Sequence, residues 1–200
     1  MAACAPRMIR PRESGLTLIE LMVTLSIISI IVALAGPPYR QFIQNQRLSA
    51  ASSELQRALS LARAEALTRA RRVTVCRSTD NTTCNASANS LGWAQGWIVF
   101  VDNDGAASVG VRDATATPAE TILLVQQGPL VGVSNASAST GLGNYISFTG
   151  TGFAQLADGT FQSGTIAICD SRGDNFARPV IITGTGMPRV GAAPANCASP

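Results

Sequence analysis

"RESGLTLIELMVTLSIISIIVALAGPPYR", residues 12–40, contains an apolar run whose reading decides the fold. From Leu16 to Ala35 it counts 20 residues with one charge, Glu20, and no proline. At about 1.5 Å per residue a helix of that length is roughly 30 Å long, the thickness of a bilayer's hydrocarbon core. A carboxylate there costs on the order of 2.5–3.5 kcal/mol, less near an interface, so it is usually functional or paired.

An ordinary signal anchor with a snorkelling Glu20 is the plainest reading of this run. A secretory signal, however, carries its small-residue cleavage site after the apolar stretch. Here Ala35-Gly36-Pro37 is a poor version of such a site, whereas Gly15 stands before the stretch. Arg7, Arg10 and Arg12 precede it and would hold the N-terminus in the cytoplasm.

Gly15-Leu16-Thr17-Leu18-Ile19-Glu20 resembles the processing site of type IV pilins and type II secretion pseudopilins. The resemblance implies that a prepilin peptidase cuts between Gly15 and Leu16 on the cytoplasmic side and methylates the new N-terminus. Counted from Leu16, Glu20 is the fifth residue, which in that family pairs with the amino terminus of a neighbouring subunit. Pro37 is the twenty-second, where pilins often carry a helix-bending proline. The usual first mature residue is Phe, and here it is Leu16. On this resemblance a carboxylate that is costly in lipid becomes an assembly contact.

Residues 1–15 then form a leader. Of the 15 basic and 12 acidic side chains, the leader holds three arginines and Glu13, leaving 12 and 11. The mature chain is nearly neutral, has no lysine, and has no run of like charge beyond Arg69, Arg71 and Arg72. Bulk electrostatics do not demand nucleic acid. Cys4 leaves with the leader, and Cys76, Cys84, Cys169 and Cys197 remain. An even number beyond a membrane anchor fits an oxidising compartment such as the periplasm. Of the three possible connectivities, Cys76–Cys84 with Cys169–Cys197 is favoured, because the first pair brackets a short polar loop and the second ties down the tail. Unpaired thiols are the alternative. A zinc site fits worse, since the spacings are wrong and the chain has no histidine.

Beyond Pro37 and Pro38, residues 39–72 read as helix. Leu48, Leu55, Leu59, Ala62 and Ala66 recur on one face of a 3.6-residue period, with Arg40, Arg47, Arg57, Arg63 and Glu65 elsewhere. Proline at the junction lacks an amide donor, so a kink is expected at Pro37. From Val73 the chain changes to short β-branched or aromatic runs: RVTVCR, GWIVFVD, ETILLVQQ, NYISFT, GTIAICD and ARPVIITGT. Residues 81–90 and 132–143 are small and polar and read as loops. No internal repeat is evident. A long helix followed only by strands predicts an α+β fold, with an antiparallel sheet wrapped on the apolar face of the helix. The expected segments are a leader at 1–15, a transmembrane helix at 16–36, its amphipathic continuation at 37–72 and a β-rich periplasmic domain at 73–200.

"GWAQGWIVFVDNDGA", residues 92–106, with "ETILLV" about 15 residues on, resembles minor pilins and pseudopilins of the GspH/FimT type. So does "ICDSRGDNFARPVIITGTGMPR", residues 168–189. The resemblance implies a structural subunit that joins other minor and major pilins or pseudopilins, anchored in a bacterial inner membrane, and helps initiate a pilus or pseudopilus. Some members of this branch capture DNA through arginines in a C-terminal G-R-x-R motif. The matching stretch here is Gly186-Met187-Pro188-Arg189, so the first arginine is replaced by Met187. Arg172 and Arg178 lie close by in sequence and could supplement Arg189 in a DNA site, which is the rival function. Solvated or aspartate-paired arginines are the plainer account.

Other chemistry has little support. Asp102-Asn103-Asp104-Gly105 is at most half a calcium loop, and an Asp-Gly after a strand is ordinarily a hairpin turn. Without histidine or lysine there is no Ser-His, Cys-His or Ser-Lys pair, so no enzyme activity is expected. Gly184-Thr185-Gly186 lacks the spacing of a phosphate loop. Trp93 and Trp97 flank a strand and read as core. No cofactor and no metal are expected. A third possibility is a membrane-tethered periplasmic domain that never enters a filament.

Overall fold

The computed structural model describes residues 15–84, 91–103 and 109–198, the side chains of 35–37 excepted. The chain divides into two compact units, Met1–Gln41 and Phe42–Pro200. Helix α1, Leu18–Arg69, begins in the first and ends in the second.

In the first unit, every large apolar side chain from Leu16 to Leu34 is exposed, Leu16 at 75% and Leu34 at 74%. The helix is apolar all round, which needs lipid or protein to cover it. Its hydroxyls are satisfied internally. Thr24 Oγ1 donates to the Leu21 carbonyl, Ser26 Oγ to Met22 and Ser29 Oγ to Ser26, at 2.7–2.9 Å. Such back-bonding is how a helix carries hydroxyls through a medium without water. Of the two straight stretches Leu18–Leu34 and Pro38–Arg69, neither alone is long and apolar enough to cross a membrane, but the pair passes that test together. The kink expected at Pro37 falls on residues 35–37, whose side chains lie outside the described ones.

In the second unit the predicted helical stripe forms the core. Leu48, Leu55, Leu59, Ala62 and Ala66 are all completely buried. Each leucine contributes about 1.5–3 kcal/mol by leaving water. The helix stops at Arg69, three residues before the expected end, because Ala70 turns to φ 49. The Arg71 amide then reaches back to the Ala66 carbonyl at 3.3 Å, a Schellman closure with alanine where glycine is preferred.

Among the described residues eight strands follow: β1 Val73–Arg77, β2 Gly96–Val101, β3 Ile122–Gln127, β4 Asn135–Ala138, β5 Tyr145–Phe148, β6 Gly164–Cys169, β7 Arg178–Ile182 and β8 Pro188–Val190. They form two antiparallel sheets of four, ordered β3-β2-β1-β5 and β4-β6-β7-β8, rather than the single sheet expected. Alternation assigns the faces. Val73, Val75, Trp97 and Val99 of one sheet, with Ile166, Ile168, Val180 and Ile182 of the other, meet α1 in one core. Thr74, Cys76, Ile98 and Phe100, or Ala167 and Cys169, point the other way. Each outer face is closed by a disulfide-pinned segment. Cys76–Cys84 (S–S 2.07 Å) closes the cluster with Ile98 and Phe100, and Cys169–Cys197 (2.04 Å) holds the tail over Ala167 and Ala177.

One further expectation is corrected. The stretch 132–143 contains β4, whose Asn135, Ala136, Ser137 and Ala138 give no apolar alternation and are held by pairing with β6. The Asp104-Gly105 turn expected after β2 lies outside the described residues, and β3 begins at Ile122. Within the loop 81–90, residues 81–84 are irregular as expected and 85–90 lie outside the described residues.

Candidate functional site

The first candidate is the start of α1. Gly15 and Leu16 are exposed and precede the helix. Thr17 caps it, its Oγ1 accepting from the Glu20 amide at 3.3 Å. Thr17-Leu18-Ile19-Glu20 has the T-x-x-E spacing of a capping box, a signal the sequence reading overlooked. Glu20 is exposed in the first turn, where its charge opposes the positive end of the helix dipole. The carboxylate thus has a local role beside the assembly role implied by resemblance.

The second candidate is the basic tail, and its three arginines do not converge. Arg172 is held by Asp170: Nε and Nη2 lie 2.9 and 2.7 Å from Oδ2, and the guanidinium sits 4.2 Å over the Phe176 ring. Arg178 opens β7 opposite Ile168, on the same alternation as the core residues Val180 and Ile182. Arg189 lies opposite Ile181, on the other alternation, so Arg178 and Arg189 project from opposite faces of the sheet. The arginine run at the end of α1 is also structurally engaged. Arg69 pairs with Glu65 at 2.6 Å, Arg71 donates to Asn103 Oδ1, and Arg72 donates to Ser147 Oγ and the Gln155 carbonyl.

The tail motif does contain an arrangement that sequence reasoning missed. Thr149-Gly150-Thr151-Gly152 and Thr183-Gly184-Thr185-Gly186 are the same four residues, the first set following β5 and the second joining β7 to β8. They fold alike. In each, the two threonine hydroxyls meet at 2.8 Å, and the last glycine donates to the first threonine's carbonyl at 2.8 Å with φ near +80. Arg63 of α1 ties the two turns together, its Nε donating to the Gly152 carbonyl at 2.9 Å and its Nη1 lying 3.0 Å from Met187 Sδ. The residue that replaces the motif's first arginine is thus already beside a guanidinium.

Two buried carboxylates, Asp102 and Glu120, hold described residues between β2 and β3. Asp102 Oδ2 accepts from Thr74 Oγ1 at 2.8 Å and from the Gly110 amide at 3.1 Å. Glu120, fully buried, accepts the Asn103 and Asp113 amides at 2.8 and 2.7 Å. Both act as anchors for backbone amides. Among the described residues no cluster of three or more candidate metal ligands occurs. In the loop closed by Cys76–Cys84, hydrogen bonds from the Thr83 hydroxyl and the Thr83 and Thr82 amides hold the Asp80 carboxyl well below the usual carboxylate range. Trp93 and Trp97 are buried at 1% exposure, and Trp93 Nε1 donates to the Gly143 carbonyl.

Comparison with known proteins matches residues 51–186 to the family "Type II transport protein GspH". Residues 10–36 match the "Prokaryotic N-terminal methylation motif". No curated protein sequence matches significantly. Two crystal forms of the type IV minor pilin FimU from Pseudomonas aeruginosa PAO1 are similar in structure. One has a TM-score of 0.52 at 21% identity, covering 75% of this chain and 99% of FimU. The other has 0.51 at 22%, covering 78% and 98%. At that identity the likeness shows the fold: a helix packed on antiparallel sheets, as in pilins.

Proposed function

The chain belongs to the family of type II transport protein GspH, and we propose that it is an inner-membrane-anchored minor subunit that helps start or tip a type IV pilus or type II secretion pseudopilus. Members of this family and their pilin relatives are structural subunits, and no catalytic role is proposed. The observation that carries the reading is the methylation motif over residues 10–36, with Gly15-Leu16 exposed immediately ahead of a helix that is apolar all round. In this reading a prepilin peptidase releases Leu16, residues 16–36 span the membrane once, and the two-sheet domain faces other pilins or pseudopilins in the periplasm. Mass spectrometry of the membrane-extracted protein should find the chain beginning at an N-methylated Leu16. An intact Met1, or a start after Ala35, would end this reading.

DNA capture is the competing function, and the geometry gives it little. Arg172 is paired, Arg178 and Arg189 face apart, and few phosphates can be neutralised together. Duplex DNA should therefore bind no tighter than non-specifically, with Kd about 10⁻⁴ M or weaker at physiological salt. Arg189→Ala should change little in a fluorescence-anisotropy titration at two salt concentrations. Micromolar binding lost on that substitution would put DNA uptake first.

A further inference from the structure

The two sheets have four edges, β3, β5, β4 and β8, and three are blocked. On β5 the Gln162 side chain occupies the edge, accepting from the Ser147 amide at 2.8 Å and donating to the Tyr145 carbonyl at 3.0 Å, while the Gln155 amide takes the Ser147 carbonyl. On β4 the Ala136 amide is taken by the Leu91 carbonyl, with a bridge from Gly92. β8 is three residues long, opens on Pro188, which has no amide donor, and carries Arg189. Short strands, proline, charge and covering segments are the usual means of closing an edge.

Among the described residues β3 has none of them. Ile122-Leu123-Leu124-Val125-Gln126-Gln127 is six residues long and uncharged, without proline. Among the described residues, its one hydrogen bond apart from the ladder to β2 is between Gln126 Nε2 and the Gln127 carbonyl. A groove of about 300 Å³ lies at its C-terminal end, with Ala50 and Ala51 of α1 on one side and Gln126, Gln127 and Val131 on the other. Arg47 and Glu54 also line it, seven residues or roughly 10 Å apart along the helix. Among the described residues neither forms an ion pair.

We propose that the open edge of β3 accepts an extended segment of another protein chain, which adds a strand to the sheet and lays alternate side chains into this groove. A row of backbone donors and acceptors at strand spacing is matched only by another extended backbone. The groove then sets the side chains. A small aliphatic residue sits over Ala50 and Ala51, an acidic one faces Arg47, and a basic one faces Glu54. Strand alternation places three such residues on one face at successive odd or even positions.

The test uses the full chain in detergent micelles and a blocked heptapeptide with threonine at its odd positions and aspartate, valine and arginine at its even ones. Amide hydrogen exchange within 122–127 should slow about elevenfold when the free peptide is at ten times its dissociation constant. The same peptide N-methylated at alternate amides should give no protection. The double variant Arg47→Glu with Glu54→Arg should bind the peptide more weakly and prefer one with its aspartate and arginine exchanged. Lack of protection at β3, equal protection by the N-methylated peptide, or indifference to the charge exchange each overturns the proposal. So does protection of these amides by self-association before peptide is added, which would make a second copy the occupant.

Discussion

Glu20→Ala should insert into the membrane as well as the parent chain or better, yet drop out of sheared filaments. The insertion half follows from removing a carboxylate from an apolar helix, since a charge at depth costs on the order of 2.5–3.5 kcal/mol. The assembly half follows if the carboxylate meets a neighbour's N-terminal ammonium away from water. Deleting one partner of a buried pair costs about 3–5 kcal/mol, at least roughly a hundredfold in an association constant. The Thr17 cap makes a second substitution informative. Glutamine keeps the T-x-x-Q spacing of a capping box but not the negative charge at the helix N-terminus, so Glu20→Gln separates helix starting by the capping-box side chain from the role of the charge. Both variants should fail to assemble, measured as the ratio of filament-associated to membrane-associated protein. If Glu20→Gln assembles normally while Glu20→Ala does not, the residue acts by starting the helix. If both assemble normally, the tethered-domain alternative stands.

What the sequence made legible follows the physics of each signal. The stripe from Leu48 to Ala66 was readable because one buried face repeats with the helix period, and all five of its named residues are at 0% exposure. Six strands were readable from β-branched runs. β4 was not, because Asn135-Ala136-Ser137-Ala138 carries no such run and its strand character lies in backbone pairing to β6. Two sheets were taken for one because alternation tells which residues share a face and never which strands are neighbours. The basic tail was open to two readings in the sequence, a DNA site or the plainer solvated or aspartate-paired arginines. Arg172 is paired with Asp170, and strand alternation, which sequence proximity does not reveal, sets Arg178 and Arg189 on opposite faces. Arg63, which does reach the tail, is 124 residues from Met187 in the chain. Glu120 would pass for a surface residue by composition, yet it is fully buried and ties down two backbone amides.

The twin Thr-Gly-Thr-Gly turns give the second large effect, on stability. Gly186 has φ +76, a conformation that costs an L-residue about 1–2 kcal/mol. An added Cβ there would also stand 2.5 Å from the Gly152 carbonyl oxygen and 3.1 Å from the Ala154 nitrogen. Neither neighbour is a side-chain tip that can swing away. The Gly152 carbonyl belongs to the other turn and is held by Arg63 at 2.9 Å. Relief must therefore separate the turn after β5 from the turn between β7 and β8, or pull one from α1, in a tightly packed interior. Gly186→Ala should destabilise by about 3 kcal/mol or more, the range of backbone strain combined with overpacking. Gly159→Ala separates the two causes, because Gly159 has φ +85 and nothing within 4 Å of its added Cβ. It should lose only the conformational part, about 1 kcal/mol. At roughly 2–4 °C per kcal/mol for a chain of this size, thermal unfolding should place Gly186→Ala some 6–12 °C below the parent and Gly159→Ala only 2–4 °C below. Equal shifts for the two variants would mean that the turns do not lean on one another. Arg63→Ala should then also be nearly silent, and if instead it softens the penalty at Gly186 by releasing Gly152, the clamp between helix and turns is what sets the cost.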